Sequence, residues 1–297
     1  MSRPHREPSS RNGRGRAAFA LAFAACTWAT PASAEDPEPI TPRVALRHEL
    51  WLDVGATATI TGATLAWALV KPSVLPTSCV ICESGTKANA LDEWFRDRFK
   101  RQDTGPASFA SDVFGYGAAP VFALGLSAAS ALADRRGDEA PLDLLLVAEA
   151  TSVDVALDQL SISFVRRERP SFHAIADPDE KEGSRTLNTV SSFPSGHTSA
   201  AFAMAASAGT IASMRGYRLA PLVWIVGMTI GGATAYLRIA ADRHYFTDTL
   251  AGAGIGVATG IGVPWFFHSP RRTMLQNASI STEPVEGGRV VSLRWIF

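Results

Sequence analysis

Residues 193–248 read FPSGHTSAAFAMAASAGTIASMRGYRLAPLVWIVGMTIGGATAYLRIAADRHYFTD. Two Ala- and Gly-rich apolar runs, 196–214 and 219–238, lie inside this stretch, with Arg215 and Arg218 between them. Each is close to the ~20 residues a helix needs to cross a bilayer. At a rise of 1.5 Å per residue, the 40 residues between His197 and Arg238 make one helix out and one back, each about 30 Å long. His197 and Arg238 therefore fall at the same end of a helical hairpin.

Working outward, further apolar runs occur near 52–70, 112–133, 142–165 and 247–267. The chain is thus expected to be all-α, a helical bundle of five to six mostly membrane-spanning helices. Short connections carry Arg135-Arg136, Arg215 with Arg218, and Arg271-Arg272, which marks that side as cytoplasmic. The loops 71–111, 166–195 and 239–246 then face outward, and Trp265-Phe266-Phe267 fits an interfacial aromatic belt. Glu149, Asp154 and Asp158 sit within one apolar run and must turn toward the bundle interior. The run 52–70 carries Asp53 and is the weakest span. Laying it on the surface, or packing it against the bundle, leaves five spans and restores the loop orientation expected behind a cleaved leader. A mean hydropathy of only +0.08 keeps a soluble periplasmic helical protein open as the alternative.

Residues 1–16 hold five arginines, Ala17 to Ala29 is apolar, and Ala32-Ser33-Ala34 precedes Glu35. These are the three parts of a secretory signal, with cleavage expected after Ala34, which would remove Cys26. The remaining organisation is expected as an N-terminal helix and periplasmic loop over 35–108, a catalytic helical domain over 109–268 and a polar tail over 269–297. With 28 basic and 28 acidic residues there is no positive surplus for a nucleic-acid partner. Cys79 and Cys82 are candidates for a local disulfide in an oxidising compartment, with reduced thiols or a metal clip as the other readings. The Asn277-Ala278-Ser279 sequon and the tail are assigned no chemistry.

Three clusters carry reactive groups: Arg166-Arg167-Glu168-Arg169-Pro170, Phe193-Pro194-Ser195-Gly196-His197, and Arg238 with His244 and Asp248. Each lies where an apolar run begins or ends, so the topology gathers all three. Ser195 suits a helix cap, Gly196 admits close approach of a ligand to the backbone, and the helix start favours an anion. Forked donors from Arg169 and Arg238, and from Arg167, suit a tetrahedral oxyanion. His244 and Asp248 are four apart. On a helix the carboxylate would accept from one ring nitrogen and leave the other free to attack. His197 would give the proton to the leaving oxygen. The chemistry is phosphoryl transfer through a phosphohistidine, with no cofactor and no metal.

These motifs resemble the type 2 phosphatidic acid phosphatase and vanadium haloperoxidase superfamily, whose signature reads Lys-x6-Arg-Pro, Pro-Ser-Gly-His and Ser-Arg-x5-His-x3-Asp. The resemblance implies that Arg169, Arg238, Ser195 and the Gly196 backbone hold phosphate. It implies His197 as general acid, His244 as nucleophile and Asp248 as its partner. It also implies an all-helical fold whose membrane members place the site at the outer face and act on lipid phosphates or diphosphates; the expected location is a bacterial-type inner membrane with the site facing the periplasm, and no protein partner is expected.

Two positions depart from the signature: Ile162 stands where the first Lys is expected, and Leu237 where the Ser is. Arg166, one turn after Ile162, could return a cation to the pocket. Asp158 could support the arginines from behind, and His173 is read as loop surface. The leading expectation is a metal-independent phosphatase. A vanadate-dependent haloperoxidase and a phosphate- or headgroup-binding protein with turnover impaired by Ile162 are the alternatives.

Overall fold

The computed structural model describes residues 38–82 and 88–270 and, as backbone, 278–285 and 288–295. The expected leader over 1–34, Arg271, Arg272 and Asn277 lie outside the described residues. The helices are α1 (Leu50–Val74), α2 (Ala90–Phe99), α3 (Gly105–Asp112), α4 (Ala119–Ala133), α5 (Ala140–Phe164), α6 (Pro170–His173), α7 (Pro178–Gly183), α8 (Gly196–Arg215), α9 (Ala220–Ala240) and α10 (Phe246–His268). A π-helical turn, Val113–Ala118, joins α3 to α4 without a break. In the tail, β1 (Ala278–Val285) and β2 (Gly288–Trp295) pair as an antiparallel hairpin.

Gly105–Ala133, Ala220–Ala240 and Phe246–His268 are long and apolar enough to cross a membrane. Their outward side chains include Val121, Phe122, Ile225, Trp265, Phe266 and Phe267, all exposed. An apolar belt of this kind is the surface of a membrane protein, covered by lipid instead of water.

The run 52–70, expected to lie on the surface or to pack against the bundle, does the latter: it belongs to a 25-residue helix, residues 50–74, laid along α5. Thr61 and Ser152 share a hydroxyl hydrogen bond at 2.9 Å, Trp67 Nε1 donates to Ser163 Oγ at 3.1 Å, and Lys71 Nζ donates to Gln159 Oε1. At the other end Asp53 meets Glu149 and His268. α1 and α5 therefore run in parallel, and both end on the same side of the bundle. The three acids of α5 all face inward: Glu149 accepts from His268 at 3.1 Å, Asp154 accepts from Ser199 at 2.7 Å, and Asp158 is buried beside Gly196.

The tightest seam is between α8 and α10. A Cβ at Gly252 would lie 2.6 Å from the Ser195 carbonyl oxygen, and at Gly256 and Gly260 it would meet the carbonyls of Ser199 and Ala203 closer still. Three glycines at i, i+4 and i+8 thus let the two backbones touch, as small residues do between membrane helices. This contact fixes the start of α8, with its Ser-Gly-His sequence, against the start of α10.

At the opposite end the arginines read as topology markers are mostly paired. Arg136 is buried and bonds Glu139 at 2.7 Å, Arg215 is buried and bonds Asp143 at 2.8 Å, and Arg218 bonds Asp134 at 2.6 Å. They clamp this end internally, so their positive charge is largely neutralised by the protein.

Candidate active site

The ends of α1, α3, α5 and α9, the start of α8 and the connection between α9 and α10 surround a cavity of about 620 Å³. Arg169, Arg238, His197, His244 and Gly196 line it, together with Asp112, Tyr116, Asp158, Ile162 and Lys71. Asn188 and Ser191 belong to the segment 171–193 and close one side.

His244 lies in the short connection between α9 and α10 and is only 3% exposed. Its Nδ1 is 2.6 Å from the carbonyl oxygen of Ser192. A carbonyl only accepts, so Nδ1 carries the proton and Nε2 keeps its lone pair. Nε2 faces Arg169 Nη1 at 3.3 Å. Burial, and then the charges of Arg169 and Arg238, hold the imidazole pKa well below its usual value. The free site thus presents a neutral ring with its basic nitrogen toward two guanidinium groups.

Asp248 does not touch the ring, contrary to the expectation from the four-residue spacing. α10 starts at Phe246, so His244 lies before the helix, and the i, i+4 argument fails at that boundary. Asp248 closes a capping box by accepting from Tyr245 N at 2.9 Å. It also accepts from Ser192 Oγ at 2.6 Å and from Arg167 Nη1 at 2.7 Å. The acid therefore reaches His244 through Ser192, the residue whose carbonyl holds the ring.

The first cluster divides. Arg169 enters the cavity, held by the Asn188 carbonyl at 2.7 Å and the Arg243 carbonyl at 3.0 Å. Burial and the nearby Arg238 and Arg243 push its pKa down to about 10, which leaves it charged at neutral pH. Arg167 does not line the cavity. It is buried between Asp248 and Asp92, at 2.7 and 2.8 Å, over the Tyr245 ring. Two carboxylates have drawn it into the protein, and it braces the site from behind. Arg166 does not return a cation to the pocket either: it donates to the Ser78 carbonyl at 2.9 Å and the Ser163 carbonyl at 3.0 Å. α5 ends at Phe164, so the helical turn that would have aimed it inward is absent. His173, read as loop surface, is buried with Nδ1 3.1 Å from Glu168. Asp158 accepts from Gln159 at 3.2 Å and bonds none of the arginines directly among the described residues.

In the second cluster Ser195 takes the N-cap position of α8, but its hydroxyl pairs with that of Thr198 at 2.9 Å and caps no backbone N–H. A Cβ at Gly196 would lie 2.7 Å from Asp158 Oδ2, so a larger residue there would have to displace that carboxylate. His197 enters the cavity with Nε2 2.9 Å from Asp112 Oδ1 and Nδ1 3.4 Å from Tyr116 Oη. The same Asp112 oxygen accepts from Arg238 at 3.2 Å. Asp112 and Tyr116 come from the junction of α3 with the π turn, a distortion often found at functional sites. No motif marked Asp112, Tyr116, Ser192 or Asp92. Asp92 is 75 residues from Arg167, so no local spacing could have found it. Cys79 and Cys82 are joined as a disulfide, and Val80 N donates to the Arg166 carbonyl at 2.7 Å, which places this loop at the cavity end.

Residues 143–272, which hold Arg169, His197, Arg238, His244 and Asp248, match the PAP2 superfamily model. This segment is similar to the PAP2 superfamily. A 71-residue stretch, 24% of the chain, is 36% identical to a lipid A 1-phosphatase of Porphyromonas gingivalis. The match spans 15% of that protein's length. A transmembrane PAP2-type phosphatidylglycerolphosphate phosphatase from Bacillus subtilis of known structure is 17% identical, with a TM-score of 0.40 over 71% of this chain and 95% of that one.

Proposed function

We propose that the PAP2-like segment is a phosphoric ester hydrolase acting on a lipid phosphate or diphosphate through a phosphohistidine. The observation that carries this reading is the fixed tautomer of His244, with Nδ1 on the Ser192 carbonyl and Nε2 facing Arg169 in the cavity.

Arg169 and Arg238 draw the equatorial phosphate oxygens and free Nε2 from its contact with Arg169. Nε2 attacks phosphorus, an N–P bond forms as the ester P–O bond breaks, and the proton of His197 passes to the leaving oxygen. Water then attacks the phosphohistidine, giving its proton back to His197 and releasing inorganic phosphate and neutral His244. The imidazolium needed at His197 is supported by Asp112 and by the bound dianion, as a carboxylate supports a catalytic histidine elsewhere. None of these steps calls on a metal ion. The name of the Porphyromonas relative and the apolar belt favour a lipid substrate.

The disulfide bears on the compartment. Disulfides persist in oxidising compartments, and this one is tied to the cavity end of the bundle. The cavity is accordingly assigned to the periplasmic face of a bacterial-type inner membrane. The test is phosphate release from phosphatidate, a polyprenyl diphosphate and an aryl phosphate in the presence of chelator, for wild type and His244→Ala, with trapping of an acid-labile phosphoenzyme. Release that persists in His244→Ala, or that chelator abolishes, overturns the mechanism.

A further inference from the structure

Lys71 is a lysine outside the PAP2 segment, yet it lines the same cavity as Arg169 and Arg238. It lies in the last turn of α1, part-buried, and donates to Gln159 Oε1 on α5. Gln159 Nε2 in turn donates to Asp158 at 3.2 Å, and Ile162, one turn further along α5, forms the adjacent cavity wall. A lysine at 162 would project from this same wall. The hydrogen bonds of Thr61 to Ser152 and Trp67 to Ser163 fix the register of α1 on α5, so Lys71 is held at this height.

A lysine near a helix end commonly extends its charged head toward water. Lys71 instead turns inward to a neutral amide beside a buried acid. An ammonium carries three donors and Gln159 takes one, which leaves two for an anion. Arg166 points away, so Lys71 is the residue that supplies a cation to the Ile162 wall.

We propose that Lys71 is a phosphate-binding residue of this site, contributed by a different helix in place of the signature lysine that Ile162 has replaced. This rests on the phosphatase reading for its kinetic arm and stands independently in its binding arm.

The experiment compares purified full-length wild type, Lys71→Met, the relocated-charge variant Lys71→Met/Ile162→Lys, and Arg98→Met as an exposed control outside the cavity. Each is measured for phosphate release and for binding of orthovanadate as the probe anion. A charge-assisted contact of about 1.5–3 kcal/mol corresponds to roughly 10- to 100-fold. Lys71→Met should lose that much in kcat/KM and bind vanadate at least several-fold more weakly. The double variant should recover a large part of both, and Arg98→Met should match wild type. Vanadate binding by Lys71→Met equal to that of Arg98→Met overturns the proposal, as does failure of Ile162→Lys to restore binding in a double variant with wild-type thermal stability. If wild type releases no phosphate, or His244→Ala releases as much, the phosphatase reading fails while the vanadate comparison still decides Lys71.

Discussion

The Ser192 carbonyl lies 2.6 Å from His244 Nδ1, and the hydroxyl of the same Ser192 lies 2.6 Å from Asp248 Oδ2. One residue thus joins the imidazole to the carboxylate, and Asp248 reaches the ring through Ser192 without touching it. Arg167 completes the arrangement by bonding Asp248 on its other oxygen and Asp92 beyond it.

This relay separates two variants that a direct contact would not. Ser192→Ala removes the hydroxyl and keeps the carbonyl, so the ring loses its indirect tie to the acid. Phosphate release should fall several-fold in kcat with little change in KM. Asp248→Asn loses acceptor capacity toward Ser192, Tyr245 N and Arg167 together, and should fall by about two orders of magnitude. It should also unfold at lower temperature, because breaking a buried ion pair costs about 3–5 kcal/mol. Steady-state kinetics with thermal melts in detergent check both; wild-type kinetics for Ser192→Ala would mean that the relay is idle.

The depressed pKa of His244 sets an acid limb. In the proposed mechanism the ring attacks only when neutral, and burial with Arg169 and Arg238 holds it neutral well below pH 6.5. kcat/KM should therefore not fall off through pH 6.5 on account of this group. The stability sign follows from the same shift. Below about pH 6.5 the unfolded chain takes up a proton that the folded ring refuses, so stability is lost as pH falls, by at most about 1.4 kcal/mol per unit until the folded pKa is reached. His244→Gln should show a shallower loss of melting temperature between pH 6.5 and 5 than wild type does.

Much of this arrangement was legible in the chain. Helix length and the 40-residue spacing placed His197 and Arg238 together, because the rise of an α-helix is nearly invariant. The acids of α5 were placed inward by the cost of facing them to lipid. The misreadings fall at helix ends. Periodicity carried past Phe164 sent Arg166 into the cavity, and periodicity carried before Phe246 put Asp248 on His244. Helix boundaries are decided by caps and tertiary contacts, such as the Tyr245–Asp248 box, which spacing alone does not reveal. Asp112, Asp92 and Lys71 reach the site from remote segments, so only the folded chain brings them in.

Asp112 holds both His197 and Arg238 on one carboxylate oxygen, at 2.9 and 3.2 Å. A negative group there opposes an incoming phosphate while it favours the charged form of His197. Asp112→Asn should bind orthovanadate several-fold more tightly and turn over about tenfold more slowly. Inhibition constants and kcat measured on the same preparations check the split. Parallel losses in both would mean that Asp112 only supports the local fold.

Gly256 and Gly254 differ by one helical face. A Cβ at Gly256 would press into the Ser199 carbonyl, the Ala203 amide and Phe202, whereas at Gly254 nothing lies within 4 Å. Backbone cannot retreat as a side-chain tip can, so Gly256→Ala must push α10 away from α8. Overpacking of this kind costs about 1–3 kcal/mol, and it would also shift the start of α10 relative to Ser195 and His197. Gly256→Ala should lower both the melting temperature and kcat, while Gly254→Ala should leave both near wild type and gain slightly in helix propensity. Equal melting temperatures for the two variants would mean that the α8–α10 seam has slack, and the close approach would then not be what fixes the catalytic ends of these helices.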